Sequence, residues 1–177
     1  AEGTTVIANA AQEPEVVDLN EVVKQAEQLL RPLLGDEIQF HTILAPALGL
    51  VRAHARHLQR ALINLAINAR QAMPAGGKLV IETQNVELTQ SFANDHPVLK
   101  PGPHVLLTVT DTGCGMTPET QARLFKPFFS TKGPARATGL GLAQVHAIVR
   151  NASGDVYVFS EQTQGTRVTM YLPRPVN

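Results

Sequence analysis

Apolar positions along the chain switch between helical and strand periodicity several times. From Asp18, a plausible N-cap, Leu19, Val22, Val23, Ala26, Leu29, Leu30 and Leu33 recur at helical spacing until Gly35. Glu37–Ala45 alternates apolar and polar residues, with Ile38, Phe40 and Ile43 marking a strand. A long helix is predicted from His54 to Met73, its stripe formed by Leu58, Ala61, Leu62, Leu65, Ala69 and Ala72, and Pro74 with Gly76-Gly77 stops it. Lys78–Leu88 reads as a strand with Leu79, Ile81 and Thr83 on one face, and Val105–Thr110 as a second. Between them Thr89–Pro103, rich in Pro, Asn and Asp, reads as a hairpin loop. Thr117 opens a helix with Pro118 at its first position, Phe125–Thr138 reads as a mobile loop, and Gly139–Val149 as another helix. Two strands, Gly154–Ser160 and Gly165–Leu172, finish the pattern. Helices and strands mixed through one stretch predict an α/β sandwich, one sheet with helices stacked on one face.

Composition removes several function classes. The chain has 177 residues, enough for one domain with a substantial core. Fifteen basic residues balance fifteen acidic ones, so no charge argument points to nucleic acid or to direct membrane contact. The single cysteine, Cys114, rules out a disulfide framework and a multi-cysteine zinc site, and fits a cytoplasmic setting. No apolar run reaches the roughly 18 residues of a membrane span. Residues 1–15 lack the basic start and apolar stretch of a signal peptide and read as a linker or a disordered N-terminus, leaving 16–174 as the domain.

Four short patterns carry chemistry. Asn64 and Asn68 lie four residues apart on the long helix, on a polar stripe with His57 and Gln71 that is expected to look into the seam between helix and sheet. Mid-helix asparagine costs about half a kcal/mol relative to alanine. The pair is either solvated or a Mg²⁺ site, since an amide oxygen is a hard, neutral donor for an ion that also binds phosphates. Asp111-Thr112-Gly113-Cys114-Gly115-Met116 directly follows a strand; its carboxylate can accept from an exocyclic amine such as that of adenine, and its glycines allow close backbone approach to a flat ring. An ordinary Asp-Gly turn is the alternative. Thr138-Gly139-Leu140-Gly141-Leu142 opens a helix, where free N–H groups and the positive dipole end suit phosphate. It is neither a Rossmann fingerprint nor a P-loop, lacking the third glycine of one and the Gly-Lys-Ser/Thr of the other. Finally, Leu124–Lys132 holds three phenylalanines within five residues, anchors for a loop; Lys132 is a candidate phosphate contact or a solvated loop lysine.

Taken in order, N-x-x-x-N-A, D-x-G-x-G, the phenylalanine-rich box and G-x-G-L resemble the N, G1, F and G2 boxes of the GHKL ATPase superfamily, and within it the catalytic domain of bacterial sensor histidine kinases. LINLAINARQAMPAGGKLVIET, DTGCGMTPET, LFKPFFSTK and TGLGLAQVHAIV look like the nitrogen-regulator-type or hybrid branch, and Gly165-Thr166 matches a further Gly-Thr element. The resemblance implies an α+β, Bergerat-type two-layer sandwich, a mixed sheet covered on one face by about three helices, with an ATP lid. It implies ATP and Mg²⁺ as cofactors. Asn68 would be the Mg²⁺ ligand, with Asn64 supporting the phosphate end as the second catalytic position. Asp111 would read the adenine amine with Thr166 helping through water, Gly113 and Gly115 would shape the adenine turn, and Thr138, Gly139, Leu140, Gly141 and Leu142 would form the phosphate loop.

The hydrolytic branch of that superfamily carries glutamate where Asn64 stands, as a general base for water. Asparagine cannot take up a proton, so the site is expected to hold ATP for an outside nucleophile. No phosphoacceptor box is present, and His146 lies inside the G2 helix. The implied partners are therefore the dimerisation/histidine-phosphotransfer domain of a parent kinase and, downstream, a response-regulator receiver domain; the chain itself is expected to be monomeric. Two positions depart from the pattern: His54-Ala55 replaces a frequent Asp-Pro helix start, and Ala137 stands where glycine is common. They leave a second reading open, a degenerate nucleotide- or second-messenger-binding module with little kinase activity.

Overall fold

A computed structural model of the chain describes residues 14–119 and 141–175. Its elements are β1 (Glu15–Val17), α1 (Leu19–Leu34), β2 (Ile38–Ile43), β3 (Val51–Ala53), α2 (Ala55–Ala72), β4 (Gly77–Leu88), α3 (Gln90–Asp95), β5 (Gly102–Asp111), α4 (Gly141–Asn151), β6 (Asp155–Glu161) and β7 (Gly165–Pro173). Pro118 and Glu119 are helical, as the Thr117-Pro118 start predicts. Residues 120–140 lie outside the described residues, and with them the remainder of the predicted helix, the predicted loop Phe125–Thr138 with its phenylalanines, and Lys132, Ala137, Thr138, Gly139 and Leu140.

Five strands form one mixed sheet in the order β2-β4-β5-β7-β6. β2 runs parallel to β4 and the other neighbours are antiparallel. Alternation explains its inner face: Leu79 and Ile81 on β4, Val105, Leu107 and Val109 on β5, Val168, Met170 and Leu172 on β7 and Val156 on β6 are all buried. The apolar stripes of α1, α2 and α4 (Leu19, Val23 and Leu30; Leu58, Leu62 and Leu65; Val145 and Val149) close over that face in a single core. α2 lies between α1 and α4. This is the two-layer α+β sandwich that the pattern predicts.

Local signals placed the helix ends. Asp18 caps α1 by accepting from the N–H of Asn20 at 2.9 Å, and Gly35 closes it with φ 79°. His54 precedes α2 with no side-chain cap hydrogen bond, so this helix starts without the help that an aspartate would give.

Some expectations are corrected. Leu29 is 55% exposed, because α1 buries a narrower face than its periodicity suggests. Ile43 is 57% exposed at the end of β2, the edge strand. Residues 89–103 are not all loop: Thr89 accepts from the N–H of Phe92 at 3.1 Å and caps α3. α3 lies against the outer face of the sheet, where Phe92 and His96 stack at 3.9 Å and meet Tyr171 and Tyr157. β1 and β3, too short for a visible alternation, form a two-stranded antiparallel ribbon.

Candidate functional site

The amphipathic pattern that buries Leu58, Leu62 and Leu65 turns the neighbouring face of α2 toward α4. Asn64 and Asn68, both half-buried, occupy that face. The Asn64 Nδ2 donates to Oε1 of Gln144 at 2.9 Å, in the first turn of α4. Gly141, the first described residue of α4, comes so near that a Cβ there would stand 3.5 Å from both amide atoms of Asn68. Leu142 packs partly buried against the core and holds the helix start down. The polar stripe is shorter than expected: His57, two turns from Asn64, is exposed rather than in the seam. Partial desolvation of its ring, then the nearby His54 and Arg60, hold its pKa below the ordinary histidine value of 6.5.

The second group lies at the C-terminal end of α2. Asp111 is the last residue of β5, and its Cα pairs with Leu79 on β4 and Thr166 on β7. It continues the inner-face series Val105, Leu107, Val109, so its side chain points toward the helix layer. Its Oδ1 accepts from the N–H of Gly113 at 2.8 Å, which tightens the turn. The Cys114 N–H donates to the carbonyl of Ala72 at 3.0 Å, and a Cβ on Gly113 would lie 2.7 Å from the Ala72 Cβ. The turn is thus fastened to the last residue of α2, one helical turn beyond Asn68.

Two glycines are required here by conformation. Gly115 has φ 70°, and a Cβ would run into the Glu161 carbonyl. Gly165 has φ 108°, and a Cβ would run into the carbonyl of Asp111 itself. Thr112 fixes the remaining side: its Oγ1 accepts from the Lys78 N–H at 3.0 Å.

Sequence reasoning missed two contributors. Gln144 carried no signal beyond its place one turn into α4. Ser160, 6% exposed on β6, stands opposite Thr166. Its Oγ accepts from the Met116 N–H at 2.8 Å, donates to the Gly165 carbonyl at 3.1 Å, and lies 2.8 Å from Oγ1 of Thr166. A serine on an apolar strand, in register with Thr166, was the available clue.

The structure therefore brings Asn64, Asn68 and Gly141 together beside the C-terminal half of α2, and Asp111, Gly113, Gly115 and Thr166 together around the turn fastened to its last residue, Ala72. From Asn64 to Ala72 the helix rises about 12 Å, a length suited to an elongated ligand with a flat polar head and an anionic tail.

The family described as histidine kinase-, DNA gyrase B-, and HSP90-like ATPase matches residues 53–176. The chain is 35% identical over 161 residues to the sensor kinase CckA of Brucella abortus, covering 91% of this chain and 17% of that protein. It is 32% identical over 160 residues to the sensor histidine kinase ZraS of Escherichia coli, covering 90% of this chain and 31% of that protein. The chain thus spans less than a third of the length of these curated relatives. Among solved structures, a mycobacterial sensor histidine kinase, MprB, superposes with a TM-score of 0.72 at 27% identity, covering 92% of this chain and 99% of that one.

Proposed function

This chain belongs to the histidine kinase-, DNA gyrase B-, and HSP90-like ATPase family, and we propose that it binds Mg-ATP and transfers the γ-phosphoryl group to a histidine on a separate dimerisation and phosphoacceptor domain. The observation that carries this reading is the pair of polar groups set along the C-terminal half of α2. Asn64 and Asn68 face the start of α4, where helix N–H groups favour phosphate oxygens. Asp111 and Thr166 stand opposite each other where an amino-purine edge would end.

The donor set fits the implied metal. Asn68 brings an amide oxygen, hard and neutral, to the start of α4, which suits a Mg²⁺ ion that keeps water and phosphate as its other ligands. When bound, Mg²⁺ would neutralise charge on the transferring phosphoryl group. The chain's own residues do the rest by positioning. Asp111 orients the base, the glycine turn lets its plane lie against backbone, and Asn64 holds α4 at a fixed distance from α2. Asn64 cannot act as a base toward water, so bound ATP waits for a nucleophile that needs none. A neutral imidazole is abundant at neutral pH and meets that need.

The phosphohistidine would then supply the aspartate of a response-regulator receiver domain, in the cytoplasm where ATP is found. A second reading, a nucleotide- or second-messenger-binding module with little phosphotransfer, draws on the uncapped start of α2 at His54.

Calorimetric titration with a non-hydrolysable ATP analogue, with and without Mg²⁺, tests the site on the unaltered chain, Asp111→Asn and Asn68→Ala. Expected are weaker binding in the first variant and loss of Mg²⁺ dependence in the second. Adding the parent kinase's phosphoacceptor domain should then yield acid-labile phosphohistidine. Tight binding with no phosphohistidine would favour the second reading, and no binding at millimolar nucleotide would remove both.

A further inference from the structure

Resting on the nucleotide reading above, we infer that Ser160 is a positioning residue that fixes the Thr166 hydroxyl as a hydrogen-bond acceptor toward the base, so that this end of the site selects a purine carrying an exocyclic amine. Asp111, Thr166 and Ser160 form one row across β5, β7 and β6, each directly opposite the next. All three fall on the inner face of the sheet. Asp111 and Thr166 are half-buried, while Ser160 is buried and sits one strand further out.

Proton counting at Ser160 gives the polarity. A hydroxyl has one proton and two acceptor sites. The Met116 N–H can only donate, and it fills one acceptor site at 2.8 Å. The Gly165 carbonyl can only accept, and the Ser160 proton is directed at it across 3.1 Å. The 2.8 Å contact with Thr166 admits either hydroxyl as donor, and we assign the donor role to Thr166 because the Ser160 proton is directed at Gly165. With its own proton spent on Ser160, Thr166 offers only lone pairs in other directions.

Asp111, when ionised, is an acceptor as well. Two acceptors opposite each other reward a base edge that presents donors, directly or through a bridging water. They disfavour a carbonyl at the same position, because a buried polar group facing like polarity stays unpaired. Thr166 alone would not discriminate, since a freely rotating hydroxyl serves either polarity. Ser160 supplies the selectivity without touching the ligand, and its bond from Met116 also holds the D-x-G-x-G turn against β6.

The test uses two ligands with the same imidotriphosphate: the adenosine compound and its inosine counterpart, which has a 6-oxo group in place of the amine. Affinities are measured for the unaltered chain, Ser160→Ala, Thr166→Val and the double variant, with a thermal melt of each. The unaltered chain should prefer the adenine compound. Ser160→Ala should reduce the adenine-to-inosine affinity ratio about fivefold, Thr166→Val should do the same, and the double variant should show no further change. Equal weakening of both ligands by Ser160→Ala, with the ratio intact, would mean that Ser160 only supports the turn, and would overturn the inference. Should Ser160→Ala not fold, an unchanged ratio in Thr166→Val overturns it instead. Equal affinity of the unaltered chain for both ligands overturns this inference and leaves the nucleotide reading standing, whereas binding of neither removes both.

Discussion

The side-chain amide of Asn64 donates to that of Gln144 across 2.9 Å, joining the middle of α2 to the first turn of α4. It bridges the two helices flanking the proposed phosphate end. Each partner is partly or well exposed, so its net worth is on the order of 0.5–1 kcal/mol. Its effect on function should exceed its effect on stability, because it sets where α4 begins relative to Asn68. Gln144→Ala is expected to change the urea midpoint little and to weaken binding of the ATP analogue severalfold. In a cycle with Asn64→Ala the two changes should be non-additive; strictly additive losses in affinity would mean that the bond does not position α4.

Gly165 and Asp111 make a second, more demanding contact. At φ 108°, with the Asp111 carbonyl where a Cβ would go, Gly165→Ala combines backbone strain with a clash inside the sheet. It should cost roughly 2 kcal/mol or more and abolish nucleotide binding. Gly35→Ala is the control. Gly35 also has positive φ, at 79°, but nothing lies within 4 Å of a Cβ there. That variant should lose about 1 kcal/mol and bind the analogue normally. Equal effects of the two substitutions on binding would refute the assigned role of Gly165.

What could be read from the sequence follows from the range of the interactions involved. Asp18, Gly35 and the Leu58–Leu62–Leu65 stripe act within a few residues, and the elements that they define appear where predicted. The turn at Asp111 could be read because its chemistry is local, Oδ1 accepting from the N–H of Gly113 two residues on. The Met116 contact of Ser160 and the Asn64 contact of Gln144 could not, because those partners are separated by 44 and 80 residues. Register across three strands decides what Ser160 meets. α3 was missed for the opposite reason: its cap at Thr89 is local, but Pro, Asn and Asp in the same stretch give a stronger loop signal. Leu29 shows the limit of periodicity, which orients a helix but does not measure how wide a face its neighbours cover.

His57 gives the chain a predictable weakness in acid. It lies at the start of α2, beside a hollow lined by Pro14, Ala53, His54, Leu58, Ile148, Asn151 and Ala152. Partial desolvation of its ring first, then repulsion from His54 and Arg60, lowers its pKa in the folded chain below 6.5. As pH falls through that value the unfolded chain takes up the proton first, so protonation favours unfolding. Stability should therefore be full above about 6.5 and decline below it. His57→Gln removes this proton, and urea unfolding at pH 7.5 and pH 5.5 should show a smaller acid loss in the variant than in the unaltered chain. Identical losses would assign the acid sensitivity to other groups.

Tyr157 predicts the behaviour at the alkaline end. Its hydroxyl donates to Asp155 Oδ2 at 3.1 Å, and its ring packs edge-on to His96 and Tyr171 on the outer face of the sheet. Burial, the charge of Asp155 and that hydrogen bond push its pKa up from 10.0 to about 12, against a smaller opposing pull from Arg150. Burial also raises Tyr171. The folded chain thus keeps its phenol proton when the unfolded chain has begun to lose it. The resulting stabilisation is present below pH 10 and is lost as pH rises from 10 toward 12. Ultraviolet titration of phenolate absorbance should show a class ionising late in the folded chain and at the ordinary value in denaturant. Tyr157→Phe should remove part of that late class and flatten the decline in stability over the same interval. A variant that keeps the full late class would place the shifted phenol at Tyr171, and the Asp155 carboxylate would then have no part in it.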